Sequence, residues 1–227
     1  HAQLIIECLK AGKHVFVEKP LAINQNQLNE VCKALHDNPQ MLVQVGFNRR
    51  FAPTTLALKK KFAKINGPLA LNISVNAGHL PKTSWVYDDL DGGGRIVGEL
   101  CHFVDLAAFF TESTVVGVDA SHLKTDRYRK DDNVFVTLQF MDGSVATINY
   151  FSDGDKSAPR ERVEVVGGGA IGTIHDFRKM TFVAGGKRSS SGLLASVDRG
   201  TRNILEHTID VVRGSKIHMN HVSSLFN

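Results

Sequence analysis

The chain has 227 residues, 42% of them hydrophobic, and a formal net charge of +4. That is enough apolar material for one or two domains with true cores, and no apolar run reaches the roughly 18 residues of a membrane span. Basic residues alternate with acids except at Lys59-Lys60-Lys61, a run that reads as a solvated helix face, so neither a nucleic-acid nor a membrane partner is indicated.

Residues 2–11 (AQLIIECLKA) place Leu4, Ile5, Cys8 and Leu9 on one helical face, and Gly12 suits the left-handed cap that ends such a helix. A strand follows at residues 14–18. Asn24 reads as an N-cap with Gln27 three positions on, a variant of the capping box, and Leu28, Val31 and Leu35 continue that helix. Asn38-Pro39 ends it, and residues 41–47 (MLVQVGF) are the next apolar strand. Helix–strand–helix–strand with short connections predicts parallel pairing through a right-handed crossover. Two parallel strands end on the same edge, so Glu18-Lys19-Pro20 and Asn48-Arg49-Arg50 are expected side by side there, where open α/β sheets bind ligands.

Beyond residue 52 the pattern changes. A helix at about 53–64 turns Leu58, Phe62 and Ile65 inward. Strands are predicted at 69–76, 115–123, 133–141, 144–151, 161–166 and 173–183, with a hairpin turn at Met141-Asp142-Gly143-Ser144. Helices interrupt them only at about 99–111 and 198–213, and residues 187–192 (KRSSSG) read as a surface loop. The expected fold is therefore α/β. A parallel α/β piece over 1–51 is followed by an α+β domain over 52–227, built on a largely antiparallel sheet. Val134, Val136 and Leu138 alternate with Phe135, Thr137 and Gln139, so both sheet faces carry apolar side chains and one is expected to meet another subunit.

Several side chains stand out chemically. Lys19, held between Glu18 and Pro20 at a ligand-binding edge, can donate to a substrate hydroxyl. In residues 91–106 (DGGGRIVGELCHFVDL), three glycines permit a sharp turn before a helix, and His102 falls in the predicted first turn. There the positive helix end favours neutral imidazole, a proton acceptor. Glu99 lies three residues earlier on nearly the same face. Residues 167–172 (GGGAIG) satisfy GxGxxG but precede TIHDFRKMTFV, a strand-like stretch, whereas a dinucleotide loop must open a helix. That stretch reads as a glycine-rich connection. His218 and His221 have no partner cluster, so no metal site is expected. Cys8, Cys32 and Cys101 are far apart with no CxxC pair, as in reduced cytoplasmic thiols. The first residue is His1 rather than Met, inside a helix, so the sequence is expected to continue a longer chain.

The run AGKHVFVEKPLA, then GFNRRFAP, then GGG followed by CHFVD, resembles the glucose-fructose oxidoreductase/inositol dehydrogenase/MocA family over essentially the whole chain. The resemblance implies an NAD(P)-binding Rossmann domain, a C-terminal domain whose open sheet mediates homodimers or homotetramers, and action on sugars, cyclitols or nucleotide sugars. It implies that Lys19 is the active-site lysine, that Glu18 and Pro20 lie beside the nicotinamide, and that His102 is the acid/base histidine. Asn48, Arg49 and Arg50 match the stretch facing cofactor and substrate: Arg50 with Glu18, Lys19 and Pro20 on the NAD or NADP side, Asn48 and Arg49 with Glu99 on the substrate side. The sequence departs from the family at Gly98, where an aspartate is usual. Glu99 is one position off, about 100° around a helix. The phosphate-binding loop also falls outside these residues, so the chain alone is expected to bind dinucleotide poorly and to be inactive. GGGRIVGELCHF is similar to a branch associated with polysaccharide biosynthesis. The implied function is hydride transfer between nicotinamide and a secondary alcohol of a sugar-like small molecule. A redox-neutral NAD-dependent glycosidase and a nucleotide- or sugar-binding regulator are the alternatives.

Overall fold

The computed structural model describes residues 1–88, 92–124, 132–191 and 196–214; His218, His221, Asp91 and Gly192 lie outside them. The chain divides into two compact units. One collects His1–Asn48, Thr83–Cys101 and the segment from Thr201 on, and the other Arg49–Lys82 and His102–Gly200.

In the first unit, α1 (Ala2–Lys10) buries Ala2, Ile5 and Leu9. Leu4, expected on that face, is 66% exposed: the helix covers a sheet of only two strands, and a stripe at spacings of three and four suffices to cover it. Gly12 closes the helix as read, at φ +68, with Gly12 N–H donating to Leu9 C=O and Lys13 N–H to Cys8 C=O, the two bonds of a Schellman cap. Strand β1 (Val15–Val17) pairs in parallel with β2 (Val43–Val45), Val17 opposite Val45. Between them α2 (Gln25–Asp37) starts at Asn24, whose Oδ1 accepts from Gln27 N–H at 3.0 Å. Gln27 Oε1 in turn accepts from Ile23 N–H at 3.1 Å. Val17, Leu21, Val31, Val43 and Val45 join Ile5 and Leu9 in one core.

The second unit opens with α3 (Pro53–Phe62) and is built on an eight-stranded sheet. Its strands are β3 (Ala70–Asn76), β4 (Val115–His122), β5 (Val134–Phe140), β6 (Val145–Phe151), β7 (Glu161–Gly167), β8 (Ala170–His175), β9 (Lys179–Ala184) and β10 (Lys187–Ser191). Their order is β10-β9-β8-β7-β3-β6-β5-β4, antiparallel at every junction except β3 with β6. Leu71, Ile73, Val75, Val136, Leu138, Ile148, Val163, Val165 and Ile174 fill its covered side. Helix α4 (Cys101–Thr111) buries Phe103, Leu106, Ala107 and Phe110, and Lys59 of α3 donates to its Phe110 C=O at 2.9 Å. On the other side a row of paired residues crosses the sheet: Gln139, Val145, Ala70, Val166, Ile171 and Val183. Val145, Val166 and Ile171 of this row, with Phe135, are all more than a third exposed.

Two expectations in this region need correction and a third is sharpened. Residues 173–183 form β8 and β9, folded back on each other at Asp176-Phe177 (φ +52 and +54). No glycine marks that turn. Burial of Phe177, 0% exposed, and two backbone donors to Asp176 Oδ1, from Arg160 and Glu161, hold it instead. The glycine-rich connection read over residues 167–172 is present but tighter than that range: Gly167 ends β7, Ala170 begins β8, and Gly168 and Gly169 turn, at φ +53 and +75. Positive φ at both central residues is the geometry of a type I′ two-residue hairpin, and no helix follows, as read. Residues 187–191, taken for part of a loop, are strand β10, fully exposed but paired with β9 after the Gly185-Gly186 turn. Backbone ladder bonds suffice at an edge where side-chain periodicity is lost.

Two buried arginines brace this unit. Arg49 donates from Nε and Nη2 to both oxygens of Glu161 at 3.0 and 2.9 Å, and lies 4.8 Å over the Phe103 ring. Arg50 makes the same fork to Asp105, 2.9 Å from Nε, with Phe109 beneath it at 5.3 Å. Bidentate pairing suits the planar guanidinium, and burial makes each partner costly to remove. Burial alone would raise the pKa of Glu161. The Arg49 hydrogen bonds and the charges of Arg49, Arg199 and Arg160 outweigh it and hold the carboxyl below its ordinary value. Such a group stabilises the fold above its unfolded-state pKa, and the contribution is lost as pH falls through the depressed folded value. Glu161→Gln should therefore cost about 3 kcal/mol at pH 7, with the gap to wild type closing in acid. Urea unfolding across pH measures both. Gly168→Ala, which strains φ and places a methyl 2.3 Å from Ile65 Cγ2, should cost about 1–3 kcal/mol in the same assay and leave dinucleotide affinity unchanged.

Candidate active site

Strand β1 runs directly into Glu18-Lys19-Pro20. Gly46 N–H donates to Val17 C=O at 2.8 Å, carrying the parallel pairing to the very end of the strand. A side chain at 46 would begin 3.0 Å from Glu18 Oε2, so glycine here lets the Glu18 carboxylate lie close to the end of β2 without shifting. Glu18 is exposed, Lys19 and Pro20 half-buried, and the Lys19–Pro20 peptide is cis.

The Lys19 ammonium reaches the glycine-rich segment. Nζ donates to Gly98 C=O at 2.5 Å and to Glu99 Oε1 at 3.2 Å; the two side chains are 20% and 29% exposed. The local sequence explains how those acceptors come to be there. Trp85–Tyr87 is a short 3₁₀ turn, and Gly92 and Gly93 N–H both donate to Asp88 C=O at 2.9 and 3.2 Å. A Cβ on Gly92 would lie 2.2 Å from Val86 C=O, which no side chain allows. Gly93 and Gly94 then turn at φ +68 and +76. The chain is helical from Gly94, takes a π-helical turn over Ile96–Leu100, and continues as α4.

Asn48, just past β2, donates from Nδ2 to Thr201 Oγ1 at 3.0 Å, at the start of α5 (Thr201–Val212). Lys19 and Glu99 thus meet directly, and Glu18 and Asn48 stand at the ends of the paired strands. Arg49 and Arg50 are engaged within the second unit as described. His102 is buried, 6% exposed, in that unit. The helical run begins eight residues before it, so the helix-terminus argument for a neutral imidazole does not hold. Sequence reading overlooked the Gly98 carbonyl and the carboxylates of Glu161 and Asp105. An acid inside the apolar run CHFVDLAAFF, or at the head of ERVEVV, must find a cation once buried, and that requirement was a usable signal.

Comparison with known proteins agrees with this architecture. Residues 1–47 match a family model described as "Oxidoreductase family, NAD-binding Rossmann fold", and residues 65–171 match the "GFO/IDH/MocA C-terminal domain". "Uncharacterized oxidoreductase YrbE" of Bacillus subtilis is 31% identical over 74% of this chain and 50% of its own length. "Myo-inositol 2-dehydrogenase" of Thermotoga maritima is 28% identical over 95% of this chain and 66% of its own. The chain therefore spans about half to two thirds of the length of these relatives. Among solved structures, "UDP-N-acetylglucosamine 3-dehydrogenase GnnA" from Acidithiobacillus ferrooxidans superposes with a TM-score of 0.78, 17% identity, over 99% of this chain and 70% of that one. The "oxidoreductase domain protein" from Kribbella flavida gives 0.80 and 21% over 99% and 72%. At these identities the superpositions establish the fold. With both family domains matched in order around the lysine-bearing edge, the chain belongs to the glucose-fructose oxidoreductase/inositol dehydrogenase/MocA family of NAD-binding oxidoreductases.

Proposed function

We propose that the intact protein is an NAD(P)-dependent dehydrogenase of the cytoplasm that transfers hydride between nicotinamide and a secondary alcohol of a sugar, cyclitol or nucleotide sugar. The observation that carries this reading is the Lys19 ammonium. It is half-buried at the carboxyl end of a parallel strand and fixed by Gly98 and Glu99, with a third N–H donor in hand. The names of the relatives, one an inositol dehydrogenase and one a UDP-sugar dehydrogenase, support the substrate class.

The edge suits a nicotinamide chemically. Glu18 offers an exposed carboxylate and backbone groups to a carboxamide, Pro20 offers an apolar edge, and ligands of such sheets bind at the carboxyl ends of the strands. Bound nicotinamide supplies the hydride acceptor, or the donor in the reverse direction. Lys19 donates its third N–H to the substrate hydroxyl oxygen and fixes it. As that oxygen becomes a carbonyl it must lose its proton, and His102 takes the proton on an imidazole nitrogen. The ammonium meanwhile stabilises the negative charge that develops on the oxygen. Arg49 and Arg50 act here as braces, since each spends Nε and a terminal nitrogen on a carboxylate.

The exposed row of Val145, Val166 and Ile171, with Phe135, supports assembly as a homodimer or homotetramer through the open sheet face. Light scattering of the full-length protein at micromolar concentration should give a multiple of the monomer mass; a strict monomer would contradict that assembly. Incubated with NAD⁺ or NADP⁺ and a panel of sugars, cyclitols and nucleotide sugars, the full-length protein should generate the reduced cofactor absorbance. His102→Ala should lower turnover by ~10²–10⁴-fold, and Lys19→Met severely, with the fold intact. Near-normal turnover in both variants, or NAD(H) binding without oxidation of any member of the panel, would overturn the dehydrogenase reading.

A further inference from the structure

We infer that Glu99 is a positioning residue for Lys19, and that the π-helical turn Ile96–Leu100 is the device that makes it one; the purpose assigned to Lys19 rests on the function proposed above. Gly98 and Glu99 are consecutive, yet one ammonium binds the backbone carbonyl of the first and the side chain of the second. In an uninterrupted α-helix that carbonyl points along the axis and is taken by the N–H four residues on. A π turn closes its bonds five residues apart, and here Cys101 N–H reaches back to Ile96 C=O. Within that widened turn Gly98 C=O, a carbonyl with two lone pairs, accepts from Lys19 Nζ.

Two further features fit this arrangement. A Cβ at position 98 would lie 3.2 Å from Gly92 C=O, a tight approach, so glycine lets the turn settle against the loop that precedes it. The Lys19–Glu99 pair is also partly open to solvent, at 20% and 29% exposure. Such pairs contribute little to stability, and the pair's consequence is directional. With two of its three N–H donors anchored, the ammonium has a fixed third direction, the one a substrate oxygen would use. With Gly98 alone as acceptor, the group would rotate about a single hydrogen bond and the third N–H would sweep a cone.

The test uses the full-length protein, without and with cofactor and substrate. Lys19 acylation by a water-soluble amine reagent should be slow in wild type and about fivefold faster in Glu99→Ala, the factor for losing one such ion pair. Labelling of Lys60 serves as the unchanged internal reference. Glu99→Gln, which keeps an acceptor oxygen, should fall between the two and guards against misfolding of the alanine variant. Equal Lys19 labelling in wild type and both variants would overturn the inference. In turnover, Glu99→Ala should reduce kcat by ~10–100-fold, the cost of a misplaced catalytic group, while KM stays within about twofold, and should add nothing in a Lys19→Met background. Losses that multiply in the double variant would also overturn it. If the unmodified protein oxidises no sugar or cyclitol, the dehydrogenase reading fails, and labelling still decides the role of Glu99.

Discussion

An ammonium partly withdrawn from bulk water needs acceptors from the protein, and the arrangement around Lys19 supplies two for its three N–H donors. Parallel pairing of Val15–Val17 with Val43–Val45 sets the lysine at the end of a strand, past the last ladder bond from Gly46. The acceptors come from far along the chain, roughly eighty positions away. The segment that supplies them turns sharply at Gly92–Gly94 and then takes a π turn, and it offers a backbone carbonyl and a carboxylate from consecutive residues. Within residues 92–100, Gly98 and Glu99 are the two that meet the Lys19 ammonium.

The same rule acts more strongly in the second unit, where the cations are more deeply buried. Arg49 and Arg50 each take a carboxylate in a two-pronged grip and an aromatic ring against the guanidinium plane. Their partners sit on different elements, Glu161 at the start of β7 and Asp105 in α4. The pairs therefore tie the segment leading into α3 both to the sheet and to the helix. Burial separates the two kinds of cation: the Arg49 and Arg50 side chains are 8% and 6% exposed, while Lys19 keeps a fifth of its side chain open.

Much of this was legible in the sequence because it depends on local rules. The Asn24 cap, the Gly12 stop, the parallel strand pair and the Asp142-Gly143 hairpin follow from side-chain chemistry at fixed offsets, and the false GxGxxG was recognisable by the missing helix after it. The family motif pointed to Lys19. What escaped notice depends on distant partners. The turn at Asp176-Phe177 has no glycine and is held by burial and by donors from β7. The exposed strand β10 has no apolar alternation and is held by its neighbour. The contact of Glu99 with Lys19 likewise depends on a distant partner, and a π turn leaves no signature in residue spacing. The paired acids Glu161 and Asp105 were visible as polar residues in apolar surroundings, although their partners were not.

The carbonyl of Gly98 and the carboxylate of Glu99 hold the Lys19 ammonium, and in the proposed function its remaining donor meets the reacting oxygen. A crystal structure of the full-length protein with bound dinucleotide and a sugar or cyclitol substrate tests it most directly. The account predicts Lys19 Nζ within about 3 Å of the substrate hydroxyl oxygen while both existing hydrogen bonds persist. A Lys19 side chain turned away from the substrate, or one that reaches it only by releasing Gly98 and Glu99, would contradict the account.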